Sequence, residues 1–134
     1  MSNQFINTIV FVSDLNKSKE FYANTLGIKI KKDLETVVFF NNQLVLHCAK
    51  SILNTVFKGK ITDMPEIRGL NNMLIYFECE TLGELEKLYE DIEDKVRIIH
   101  KIELQEWGQR VFRFYDPDGH IIEFGEPQVE NENS

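Results

Sequence analysis

The stretch Trp107-Gly108-Gln109-Arg110-Val111-Phe112-Arg113-Phe114-Tyr115-Asp116-Pro117-Asp118-Gly119-His120-Ile121-Ile122-Glu123-Phe124-Gly125-Glu126 decides how this chain is read. Two short alternating runs flank Asp116-Pro117-Asp118-Gly119. In that turn Pro117 presets φ at the second position and Gly119 is free to take a positive φ at the fourth, which makes a tight reversal between strands. Beyond the turn Ile121, Glu123 and Gly125 fall on one strand face, Ile122 and Phe124 on the other. Glu123 is therefore a carboxylate set mid-strand among apolar neighbours. Such a group is a ligand, a base or a hydrogen-bonded structural acid.

Upstream of this hairpin the same order of elements occurs twice. Residues 5–12 form a strand rich in β-branched and aromatic types, and Ser13-Asp14 start a helix. Leu15, Tyr22 and Leu26 recur at helical spacing and Gly27 stops it. Strands at 28–32, 36–41 and 43–49 follow. Residues 50–69 break the rhythm with Gly59, Pro65 and Gly69, and Ile52, Leu53, Val56 and Phe57 within them mark a short helical piece. A second strand–helix pair occupies 71–79 and the segment opened by the capping box Thr81-Leu82-Gly83-Glu84, with Leu85, Leu88, Tyr89 and Ile92 on one face. Strands at 96–103, 109–115 and 119–125 complete it. The expected organisation is one domain, with module one at 5–49, a linker at 50–69, module two at 70–126 and a polar, disordered tail at 127–134.

At 134 residues and 43% hydrophobic content, such a chain buries roughly two-thirds of its unfolded surface in one domain. The net charge of −7 and a pI near 5.0 exclude the clustered basic face that nucleic acid demands. No apolar run approaches the ~20 residues that span a bilayer, and Met1-Ser2-Asn3-Gln4 lacks the order of a secretory signal, so a cytoplasmic protein with no membrane partner is expected. Cys48 and Cys79, without Cys-x-x-Cys spacing, read as reduced thiols in strands.

The closing run, with Asp14-Leu15, Phe21-Tyr22 and Leu26-Gly27 of the first helix, resembles the vicinal oxygen chelate superfamily: glyoxalase I, bleomycin resistance proteins, fosfomycin-modifying transferases and extradiol dioxygenases. The resemblance covers about residues 5–126. It implies an α+β fold in which two βαβββ modules curve into a cupped, open mixed β-barrel, and a homodimer holding a small-molecule ligand. In metal-dependent relatives four inward strand positions supply the ligands. By resemblance they match Asn7, which lies seven residues before Asp14, then Val45, Asn72 and Glu123.

Only Glu123 keeps the expected type. One carboxylate and two neutral amides lack the imidazoles of catalytic zinc, nickel or iron sites, so no cofactor is expected, and a divalent ion (Ni, Zn, Fe or Mn) is the alternative. His47, two residues beyond Val45 and on its face, is the reserve ligand or a cavity-lining group. Asn7 and Asn72 either grip a ligand's carbonyl or satisfy strand-end backbone. Arg113 is a carboxylate or phosphate clamp, or the partner of Glu123 or of a surface acid. Trp107 stacks on a ligand or belongs to the core or rim.

Two function classes stand side by side. One is a glyoxalase-type lyase or isomerase, with Glu123 as base and His47 as its acid or base partner. The other is a binding protein that sequesters a small organic compound.

Overall fold

A computed structural model describes residues 3–41, 43–60 and 69–128. The chain divides into two compact units, Met1–Arg68 and Gly69–Ser134.

The first unit runs β1 (Thr8–Val12), α1 (Leu15–Glu20) continued by a π-helical turn (Phe21–Thr25), β2 (Ile30–Asp33), β3 (Val37–Phe40), β4 (Leu44–Cys48) and α2 (Ala49–Val56). Asp14 caps α1 by accepting from Lys17 N at 3.1 Å. Gly27 ends the helical segment at φ +71°, and Ile28 N bonds back to Tyr22 O at 2.9 Å. The sheet order is β1-β4-β3-β2, with β1 parallel to β4 and the other pairs antiparallel. Its core is Val10, Val12, Tyr22, Leu26, Val38, Phe40 and Leu46, and the Tyr22 and Phe40 rings meet at 6.0 Å.

The second unit repeats this. It runs β5 (Leu74–Glu78), α3 (Leu82–Ile92), β6 (Arg97–Leu104), β7 (Arg110–Tyr115) and β8 (Ile121–Gly125), in the sheet order β5-β8-β7-β6. Again the first and last strands are parallel. Thr81 accepts from Glu84 N at 3.1 Å, while the Glu84 carboxylate turns back to Glu80 N. Phe77, Phe124, Phe112 and Phe114 form a continuous aromatic layer beneath α3, where Tyr89 meets Phe112 edge-on at 5.1 Å.

The α+β class and the twice-used βαβββ order are thus those expected. Strand ends shift by one to three residues, and two of these shifts bear on the site. Asn7 and Asn72 were expected inside strands 5–12 and 71–79, but β1 begins at Thr8 and β5 at Leu74; ahead of β5, Asn71 takes a positive φ of 57° and bends the chain before pairing starts. The helical piece of the 50–69 segment is α2; residues 61–68 of that segment and 129–134 of the expected tail lie outside the described residues. Among those described, no helix is long and apolar enough to cross a membrane.

The aromatic layer carries the second unit. Phe112 is fully buried between Tyr89, Phe114 and Phe124. Phe112→Ala should cost about 3–5 kcal/mol, and Thr81→Ala about 1 kcal/mol. Urea unfolding should show both as lower midpoints at unchanged slope; equal costs would disprove this account of the core.

Candidate functional site

The Asp116 turn sets the phase of β7 and β8. Gly119 takes φ +85°, and the Asp116 carboxylate gathers Asp118 N at 2.9 Å, His120 N at 2.8 Å and His120 Nδ1 at 2.9 Å. His120 is consequently a buried structural partner of Asp116. With the turn closed, Arg113 pairs with Glu123, Phe112 with Phe124 and Val111 with Gly125.

That register sorts the two faces of the sheet. Phe112, Phe114, Ile122 and Phe124 face α3. Tyr76, Gln109, Val111, Arg113, Glu123 and Gly125 lie on the opposite side. Across this second face runs a polar row made by strand pairing: Tyr76 opposite Glu123, Glu123 opposite Arg113, Arg113 opposite His100. Arg113 Nε donates to Glu123 Oε1 at 2.7 Å, and their side chains are 23% and 10% exposed.

Arg113 Nη1 lies 3.0 Å from His100 Nε2. A guanidinium only donates, so Nε2 accepts. The imidazole proton then sits on Nδ1, 2.6 Å from Lys101 O. The row is internally balanced: one anion, one cation and a neutral imidazole. Among the described residues no further bond is made by Glu123 Oε2 or by Arg113 Nη2, which leaves an acceptor on one member of the pair and a donor on the other.

His100 was not singled out from sequence. Ile98 pairs with Phe114, yet His100, not Ile99, pairs with Arg113, because β6 bulges there. Strict alternation would have placed His100 with Ile98 on the α3 side.

A second set of bonds adjoins the row. The Gln109 side chain, on a residue only 1% exposed, accepts from Trp107 Nε1 at 2.7 Å and donates to Tyr76 Oη at 2.8 Å and to Glu126 O at 2.7 Å. A Cβ on Gly125 would come within 2.5 Å of Gln109 Nε2, so glycine is what seats this amide. Tyr76 in turn donates to Glu78 Oε2 at 2.5 Å. Burial, and after it the Glu78 hydrogen bond, push the Tyr76 phenol up to about 12.

The remaining expected residues are placed as follows. In the first unit Val45 is buried on the face away from α1, between Ile9 and Phe39. His47 shares that face between Phe11 and Val37, partly buried, with Nδ1 3.2 Å from Cys48 O. Asn7 is partly buried and Asn72 exposed, in the segments just before β1 and β5. Trp107 is largely exposed.

The four positions matched to metal ligands do not fit a metal. Val45 offers no donor atom, and one oxygen of Glu123 is already held by Arg113. No cluster of three or more His, Cys, Asp or Glu able to hold a metal occurs among the described residues. A carboxylate tied to a guanidinium has its charge compensated by the protein itself.

Four likenesses accompany this geometry. The family model described as "Glyoxalase-like domain" matches residues 5–129. Metallothiol transferase FosB of Lysinibacillus sphaericus is 30% identical over 129 residues, 92% of this chain and 83% of that protein. A protein of unknown function from Agrobacterium tumefaciens superposes with a TM-score of 0.86 at 43% identity, covering 95% of this chain and 96% of the other. A glyoxalase/bleomycin resistance protein/dioxygenase from Nocardioides superposes with a TM-score of 0.73 at 20% identity over 100% of this chain and 90% of its own, a likeness of fold.

Two measurements test the site. Arg113→Met leaves the Glu123 carboxylate nearly buried and unpaired and should cost about 2 kcal/mol or more, whereas Arg113→Met with Glu123→Leu should recover most of that loss in chemical unfolding. Additive single losses in the double variant would rule out the pairing. Ultraviolet titration should show a tyrosine ionising near 12 that is missing from Tyr76→Phe. Because the folded pKa is raised, the protonated phenol's contribution to stability is whole below about 10 and is lost as pH climbs from there towards 12.

Proposed function

The chain belongs to the glyoxalase-like domain family of the vicinal oxygen chelate superfamily, and from that premise we propose that it binds a small, neutral, oxygenated organic molecule without a resident metal. The ligand rests on the face of the second sheet that carries Glu123 and Arg113. One observation carries this reading: Glu123 Oε1 is engaged by Arg113 Nε at 2.7 Å, while Oε2 and Arg113 Nη2 have no partner among the described residues.

Such a pair complements a group that donates and accepts at adjacent atoms, as a carboxamide or a hydroxycarbonyl does. An anion suits it less well. Arg113 is already neutralised by Glu123, and the chain's net charge of −7 repels anions. The ligand's carbonyl oxygen would take an N–H of Arg113 and its N–H or O–H would reach Glu123 Oε2. Asn72, in the same unit, is held in this reading as a further ligand contact; in the first unit, taken by itself, Asn7 and the Val45–His47 strand face are held as ligand-binding positions.

A second reading, a metal-dependent enzyme using Glu123 and His47, is favoured by the identity to a metallothiol transferase. It requires Glu123 to exchange its guanidinium for a metal. Pairing of two chains also belongs to the proposal: β1 and β5 each end a sheet, and the apolar Phe5, Ile6, Leu70 and Met73 just before them are exposed.

Elemental analysis beside a thermal-shift panel decides between the readings. The purified protein should carry no stoichiometric Ni, Zn, Fe or Mn and should gain no stability from them, while neutral carboxamides or hydroxycarbonyls raise its Tm in wild type but not in Arg113→Met. Stoichiometric metal, or stabilisation by a metal that Glu123→Gln abolishes, would establish the second reading instead.

A further inference from the structure

Trp107 and Tyr76 are oriented against the usual habit of amphipathic aromatics. A surface tryptophan or tyrosine ordinarily buries its ring and turns its polar atom to water. Here Trp107 Nε1 turns onto a buried amide, that of Gln109, at 2.7 Å, and Tyr76 Oη, which donates to Glu78, accepts from the same amide at 2.8 Å. The rest of each side chain stays open, with Trp107 58% and Tyr76 37% exposed.

The arrangement is built rather than incidental. Both ends of the Gln109 amide are used: Oε1 for Trp107, and Nε2 for Tyr76 and the Glu126 carbonyl. The strand beneath has no side chain at Gly125, where a Cβ would strike the amide. A buried glutamine satisfied in this way holds two rings at fixed positions, with little freedom left to lose on contact.

What these rings face follows from strand pairing. Tyr76 is the direct partner of Glu123 in the β5–β8 pair, so its ring adjoins the Glu123–Arg113 donor–acceptor group, and Trp107 is joined to it through the Gln109 amide. We propose that Gln109 is a positioning residue that presents Trp107 and Tyr76 as a seat for the planar aromatic portion of an aryl carboxamide-type ligand, whose amide reaches Glu123 and Arg113. The inference rests on the ligand reading above and adds the ring. Aromatic contact on fixed ring faces distinguishes a planar ligand from a saturated one of the same polarity.

Trp107 is the sole tryptophan, so its fluorescence reports on this seat alone. The probes are benzamide, cyclohexanecarboxamide and benzoate, added at millimolar concentration to the full chain and followed by Trp107 emission and by calorimetry. Benzamide is expected to bind saturably and about tenfold more tightly than cyclohexanecarboxamide in wild type. Gln109→Leu should remove that preference, so that benzamide binds no more tightly than cyclohexanecarboxamide. Trp107→Phe, which keeps a ring but loses its anchor, should reduce the preference in calorimetry even if Gln109→Leu fails to fold. Equal binding of the two carboxamides overturns the aromatic seat and leaves the donor–acceptor reading standing. Binding of neither, or tighter binding of benzoate, overturns that reading and the seat with it. Trp107 emission that shifts with protein concentration and not with benzamide assigns the rings to a contact between copies and overturns the seat.

Discussion

The pairing of Arg113 with Glu123 is the constraint on which the functional face depends. A carboxylate on a side chain only 10% exposed is costly unless compensated. The 2.7 Å bond from Arg113 Nε meets that cost within the sheet, from the facing residue of the next strand. Everything else on the face is arranged around it. His100 accepts the neighbouring N–H, Tyr76 flanks the acid on the other side, and the Asp116 turn holds β7 and β8 in the register that brings the two charges together.

The charge of Glu123 is thus compensated by the protein itself. Where a carboxylate coordinates a divalent ion, the ion supplies the positive charge. Here a guanidinium does so, and it is a fixed, forked donor that presents a hydrogen bond beside an acceptor oxygen. The face is consequently neutral in sum and polar in detail, which suits an uncharged ligand with adjacent donor and acceptor.

Much of the fold was legible in the residues. The capping residues Asp14 and Thr81, the stop at Gly27 and the Asp116-Pro117-Asp118-Gly119 turn all act locally, through side chain or φ, and the structure has them where expected. The alternation around Glu123 likewise assigned its face, since a two-residue period is intrinsic to a strand. The candidate site was legible only in part. Arg113 and Glu123 were visible as members of adjoining strands. Gln109 was not, because nothing in a glutamine next to a glycine states that it will be buried over Gly125. His120 was equally silent, as its partner Asp116 reads first as a turn residue.

The sequence by itself therefore determined the order of elements, their caps and turns, and which side of β8 Glu123 occupies, because each of these is set by neighbours a few residues away. Only the tertiary structure decided what Glu123 meets. Its partner depends on the register of β8 against β7, and the place of His100 depends on a bulge in β6 that reverses the strand's alternation. The Asp116 turn sets that register locally, but the β6 bulge that brings His100 to Arg113 and the layer of Phe77, Phe112, Phe114 and Phe124 beneath α3 exist only in the assembled sheet, where residues far apart in the chain meet.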